Sequence, residues 1–158
     1  MNIPNSVTSI GDNAFELAGE ESEIYLTLGE NLETIGKNAF GTPGVKGELI
    51  IPGKVKTIGE YAFNSNKVSD LYISKSVTSI GTNAFDYNEA LKSITVESGN
   101  AVYHSAGNCL IETQSGTLIR GCDNSVIPTG TSVRQIARYS FRFVKNKRNL
   151  YFKKCYKN

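Results

Sequence analysis

The chain has 158 residues, 39% of them hydrophobic and 20% charged, a balance that belongs to a folded chain rather than a disordered one. Its longest apolar runs are short, as in Leu49-Ile50-Ile51, against the roughly 20 residues a membrane-spanning helix needs, so no helix is expected to cross a bilayer. The net charge of +2 hides an asymmetry: from Arg138 onward there are eight basic residues and no acidic one, leaving nine basic against 15 acidic in the first 137. The body is acidic and the end is basic. Met1 is followed by Asn-Ile-Pro rather than by a basic stretch and an apolar segment, so no secretory signal is expected here, which implies an intracellular chain or part of a longer one.

Self-similarity outranks local pattern, because a fixed period of about 20 to 50 residues marks a repeat architecture. The segment Val7-Thr8-Ser9-Ile10-Gly11-Asp12-Asn13-Ala14-Phe15 returns as Leu32 to Phe40, Val55 to Phe63 and Val77 to Phe85, and more weakly as Val133 to Phe141. Its pivotal isoleucines fall at 10, 35, 58, 80 and 136, spaced by 25, 23, 22 and 56. The first three spacings are leucine-rich-repeat periods, and the last is one repeat plus an insertion. Periods of this length are too short for paired helices.

Short alternating segments recur at the same period, Ile24 to Leu28, Glu48 to Ile51, Asp70 to Ile73 and Ser93 to Val96, the first three leading into the copies at Leu32, Val55 and Val77. Alternation with β-branched and aromatic residues predicts strands, and equal placement in each repeat predicts parallel strands stacked rung on rung. Leu26, Leu49, Leu71 and Ile94 form one inward row, Leu28, Ile51, Ile73 and Val96 a second, and the recurrent Phe packs behind them. The fold class is a leucine-rich-repeat solenoid whose short parallel strands make a concave sheet, with irregular, short helical or strand return arms. Gly after the first four pivotal isoleucines supplies a backbone angle or a close approach that a Cβ would forbid.

These residues resemble the BspA-like, or treponemal-type, leucine-rich repeats, whose motif is visible as Ile3-Pro4-Asn5-Ser6-Val7-Thr8-Ser9-Ile10-Gly11 and again from Ile51-Pro52 through Phe63. The resemblance runs from about Ile3 to Phe141. It implies a bacterial or protozoan surface protein, extracellular or at the cell surface, engaged in adhesion to host proteins or other cells. Family repeats often carry Cys three residues after the Phe; here those positions hold Ala18, Pro43, Asn66 and Asn88.

Residues 1–141 read as the solenoid, with 99–126 as an inserted β-hairpin, and 142–158 as a basic terminal segment or a degenerate last repeat. Within the insertion, Cys109 to Glu112 and Thr117 to Cys122 flank a Ser115-Gly116 turn, a hairpin signature. With Ser115 and Gly116 as the two loop residues, Cys109 and Cys122 face each other on a non-hydrogen-bonded site, whose short separation allows a disulfide. Two buried free thiols are the alternative reading. A zinc site lacks paired C-x-x-C spacing, and Cys155 is left over.

No catalytic motif is found: G-x-S-x-G, H-E-x-x-H, the P-loop and G-x-G-x-x-G are all absent. The one histidine, His104, reads as a residue of an exposed loop. Residues equivalent to Asp12 are Lys37, Glu60, Thr82 and Arg138, which removes a calcium-binding repeat. The chain therefore reads as a non-enzyme without cofactor or metal, and its partner as a protein rather than a small molecule. The outward strand positions Tyr25, Thr27, Glu48, Ile50, Asp70, Tyr72, Ser93 and Thr95 are the candidate protein-binding face, with Tyr25, Ile50 and Tyr72 as its apolar-aromatic group and Tyr151 as an extension. The alternative is an anionic glycan or nucleic acid bound by Lys145, Lys147, Arg148, Lys153, Lys154 and Lys157, which are interleaved with aromatics.

Overall fold

A computed structural model describes residues 1–17, 23–130 and 132–145. In chain order its strands are β1 (Ser9–Ile10), β2 (Thr34–Ile35), β3 (Lys46–Ile51), β4 (Thr57–Ile58), β5 (Lys67–Ile73), β6 (Ser79–Ile80), β7 (Ser93–Val96), β8 (Tyr103–Ala106), β9 (Cys109–Glu112), β10 (Thr117–Arg120) and β11 (Gln135–Ile136), with no helix among the described residues. The long strands β3, β5 and β7 form one parallel sheet, and the two-residue strands β1, β2, β4 and β6 form another. Each turn of the solenoid thus supplies one rung to each sheet. Ile24 to Leu28 pairs only through single bridges, Ile24 with Val45 and Thr27 with Asn2. Beside it Gly47, at φ +77, kinks β3 under the Tyr25 ring.

The alternation predicts the burial. Leu26, Leu49, Leu71 and Ile94 are buried, as are Leu28, Ile51, Ile73 and Val96, each contributing on the order of 1.5–3 kcal/mol by leaving water. Behind them Phe15, Phe40, Phe63 and Phe85 stack in a column with centroids 5.1, 5.2 and 5.8 Å apart and planes within 6° of parallel. Parallel planes at that separation are offset, the arrangement that the ring quadrupoles favour.

Of the three forms expected for the return arms, each is a two-residue strand followed by two left-handed corners. Asn13, Asn38, Tyr61, Asn83 and Tyr139 take φ between 55 and 67, and Leu17, Thr42, Ser65, Tyr87 and Phe143 take φ between 56 and 63. Asn tolerates this region better than other non-Gly residues because its short side chain can bond locally. The weak fifth copy keeps both corners. At the pivotal Gly the reason is close approach rather than a backbone angle: a Cβ on Gly59 would lie 2.5 Å from the Gly36 carbonyl carbon, and one on Gly81 2.3 Å from the Glu60 nitrogen.

Successive arms are tied by a regular row of amides. The first donates from Asn13, Phe15 and Leu17 to the carbonyls of Lys37, Ala39 and Gly41; the second from Asn38, Phe40 and Thr42 to Glu60, Ala62 and Asn64; the third from Tyr61, Phe63 and Ser65 to Thr82, Ala84 and Asp86. Every other residue bonds forward, which sets the rungs at sheet spacing.

The insertion departs from the sequence expectation in four ways. It is a three-stranded antiparallel meander, β8-β9-β10, with β11 added parallel to β10, and His104 sits in β8 rather than in a loop, its Nδ1 2.9 Å from the Thr113 hydroxyl. The turn is four residues long, since Glu112 pairs with Thr117. A two-residue Ser-Gly loop of the favoured type I′ would need positive φ at Ser115; instead only Gly116 is left-handed, at φ +67. The Glu112 carboxylate accepts the amides of Gln114 and Ser115 at 3.1 and 2.8 Å, stabilising the longer turn. An irregularity between Leu118 and Arg120 then shifts the register by one, so the expected facing pair of Cys109 and Cys122 is not formed. Both are buried free thiols, and burial pushes the Cys109 thiol up to about 11.

Candidate functional site

The outward positions of the strands divide into two columns. Ile50, Tyr72 and Thr95 are direct neighbours across β3, β5 and β7, and so are Glu48, Asp70 and Ser93. In the repeat alignment Thr27 extends the first column and Tyr25 the second, so Tyr25 lies diagonal to Ile50 rather than in line with Ile50 and Tyr72. Tyr25 is 68% exposed and Ile50 51%, while Tyr72 is half-buried between its neighbours. Thr27, Glu48 and Thr95 are exposed.

Tyr25 and Ile50 are joined by a groove of about 470 Å³ whose other walls include Thr27, Glu30, Glu48 and Pro52. The Lys46 ammonium lies 4.8 Å from the Tyr25 ring centroid and pairs with Glu23. This cation over the aromatic face helps hold the ring in place. Asp70 is less available than the alternation implies. Its two carboxylate oxygens accept the hydroxyls of Ser93 at 2.6 Å and Ser69 at 2.7 Å. Those two bonds, Ser93's first, hold its carboxyl below the usual range. Asp70 and Ser93 therefore form a half-buried anionic tie between rungs.

Of the basic candidates, Lys145 lies within the described residues: its Nζ is 3.8 Å from Glu89 and its amide donates to Asp123 at 2.7 Å. Lys147, Arg148, Lys153, Lys154 and Lys157 lie outside the described residues, as do Tyr151 and Cys155.

One site was not anticipated. Arg120, 3% exposed, pairs with Asp86, 5% exposed, at 3.2 Å between the fourth and fifth return arms. Its Nε is buried without a partner. The signal was in the alternation of β10, which puts Arg120 on the same face as the buried Leu118.

A profile of the BspA type leucine rich repeat region matches residues 1–107 in six copies. The chain belongs to this family. Among solved structures it is similar to a leucine-rich repeat protein from Eubacterium ventriosum, at 28% identity and a TM-score of 0.72 over 90% of this chain and 38% of that one. The pneumococcal vaccine antigen PcpA and a leucine rich cell surface protein from Faecalibacterium prausnitzii share the fold, each at 22% identity and a TM-score of 0.55 over 89% of this chain. These cover 41% and 51% of the respective neighbours, so the chain spans about half their length or less. No curated protein matches.

At two of the positions where BspA-type repeats often carry Cys, this chain uses Asn as a buried clamp. Asn66 accepts the Val45 amide at 2.8 Å and donates to the carbonyls of Phe40 at 2.8 Å and Asn64 at 3.1 Å. Asn88 repeats this one turn on, with Val68, Phe63 and Phe85. Each amide side chain ties two turns together through groups that have left water. Asn66→Ala strands at least the Val45 donor and the Phe40 acceptor, and is expected to cost about 2–4 kcal/mol, as unsatisfied buried groups do. Urea unfolding checks this, and a loss below about 1 kcal/mol would mean water replaces the clamp.

Proposed function

We propose that this chain is a protein-interaction module that acts at a bacterial cell surface, and that it binds a host or cell-surface protein through its outward strand face. The observation that carries this reading is the exposed Tyr25 and Ile50 pair at the walls of one groove, continued across the sheet by Tyr72. Tyr is favoured where proteins meet because it buries a large rigid area with few rotamers to freeze. Family membership and the cell-surface neighbour support the compartment. Leucine-rich-repeat domains of this family are typically non-catalytic, which favours binding over an enzymatic role.

The test is binding of the chain to immobilised extracellular-matrix proteins, heparin and nucleic acid at low and high salt. Saturable, salt-resistant binding to a protein is expected, weakened about 30-fold or more by Ile50→Glu with Tyr72→Glu, the equivalent of a lost hot spot. The charge asymmetry after Arg138 favours a second reading, polyanion binding by the basic end. Capture of heparin or nucleic acid that vanishes with salt and with removal of residues 142–158, while the face variants bind normally, would establish it instead.

A further inference from the structure

The first three return arms answer all of their forward amides; the fourth does not. By the period of the ladder, Asn83, Phe85 and Tyr87 should donate to a following arm, yet among the described residues their amides have no acceptor. The insertion is the cause. Gly121 at the end of β10 takes the Ser140 carbonyl at 2.8 Å, the acceptor that the ladder would align with Phe85. A Cβ on Gly121 would lie 2.0 Å from the Phe141 ring, so the backbone ladder of the fifth arm runs to the insertion and not to the fourth arm, which it meets through side chains.

What remains between the arms is a cleft of about 220 Å³. Asn83, Ala84 and Phe85 line one wall, and Ile119, Ala137 and Arg138 line the other. Arg120 and Asp86 also border it, as a buried ion pair that carries no net charge. Arg120 nonetheless keeps an unpartnered buried Nε, so the hydrogen bonding of this wall is incomplete as it stands. Arg138 is exposed, lies 4.5 Å from the Tyr139 ring centroid and forms no ion pair among the described residues. Further along the two arms Tyr87 and Phe143 touch, their ring centroids 4.5 Å apart.

The walls ask for a ligand with three properties. It must bring carbonyl acceptors two residues apart, to meet Asn83 and Phe85. It must pass apolar side chains between Ile119, Ala84 and Ala137, and it must carry negative charge for Arg138. The volume is below the roughly 300–1,000 Å³ of a small-molecule pocket, so a short stretch of a longer chain fits better than a whole compact ligand. We infer that this cleft is a docking site for an extended acidic peptide that supplies the missing rung between the fourth and fifth arms, its carbonyls bonding Asn83 and Phe85 and its carboxylate meeting Arg138. Strand addition of this kind draws affinity from main-chain bonds and selectivity from alternate side chains. The site lies on the return arms, away from the outward strand face, and the two stand separately.

Amide hydrogen exchange of the full chain, read by NMR, tests it with a capped heptapeptide of alternating valine and aspartate. In the free protein the Asn83 and Phe85 amides should exchange faster than Phe40 and Phe63 in the answered arms. Addition of the peptide should slow both by about tenfold or more, the mark of new hydrogen bonds. Arg138→Glu should weaken binding about tenfold, as loss of a complementary rim charge does, and the asparagine version of the peptide should bind the unaltered protein equally weakly. Slow exchange of Asn83 and Phe85 in the free protein overturns the inference, as does peptide binding that leaves their exchange unchanged or no saturable binding at millimolar peptide. Equal protection by glutarate overturns it in favour of a small carboxylate.

Discussion

Phe63→Ala should destabilise the chain by about 3–5 kcal/mol, the cost of emptying a large buried aromatic site that cannot collapse. Phe63 is fully buried and sits between Phe40 and Phe85 in the column, at 5.2 and 5.8 Å. Its backbone amide and carbonyl are also committed, to Ala84 and to the Asn88 side chain. The neighbouring rungs are tied at fixed spacing and cannot close over the void. Phe15→Ala provides the comparison, because Phe15 is only partly buried and is stacked on one side, by Phe40. Its loss should cost about half as much or less. Urea unfolding of both variants decides the point. Equal losses would mean that the column is a set of independent contacts and not a stack in which each ring is gripped by its neighbours.

Arg120→Met should cost about 3–5 kcal/mol, because it leaves the Asp86 carboxylate buried with no counter-charge. Burial already raises the Asp86 pKa, and Arg120 opposes that rise, with Arg142 adding to the opposition. Removing Arg120 raises it further. A carboxyl whose folded pKa lies above its unfolded value adds stability below the unfolded pKa and loses it as pH rises through the folded one. The deficit of Arg120→Met relative to the unaltered chain should therefore be largest at neutral pH and shrink as pH falls toward 5. Adding Asp86→Leu should recover most of the loss, since an apolar pair of similar volume needs no partner. Urea midpoints at pH 7.5 and 5 for the single and double variants give both results. A pH-independent deficit would show that Arg120 matters through its packing alone.

Much of this was legible in the residues because stacking repeats the same local problem. The rows Leu26-Leu49-Leu71-Ile94 and Leu28-Ile51-Ile73-Val96 follow from period-two alternation. The Phe column follows from its equal place in each copy. The candidate face was legible in the same way, except that alternation says which side a residue takes and not which neighbour it meets. Tyr25 therefore fell diagonal to Ile50, and Asp70 proved to be tied to Ser93 and Ser69. The turn at Ser115-Gly116 is not legible from its dipeptide, because a carboxylate upstream, Glu112, takes the turn amides.

The sequence by itself determined the period, the inward rows and the family, since each rests on residues that recur within a few positions of one another. Only the tertiary structure decided the rest. The Asn66 clamp joins groups 21 and 26 residues apart, and Arg120 finds Asp86 across 34. The open amides of the fourth arm arise from where the insertion directs the fifth. Such features belong to pairs of distant residues, and spacing along the chain carries no record of which rung lies beside which once the repeat is broken.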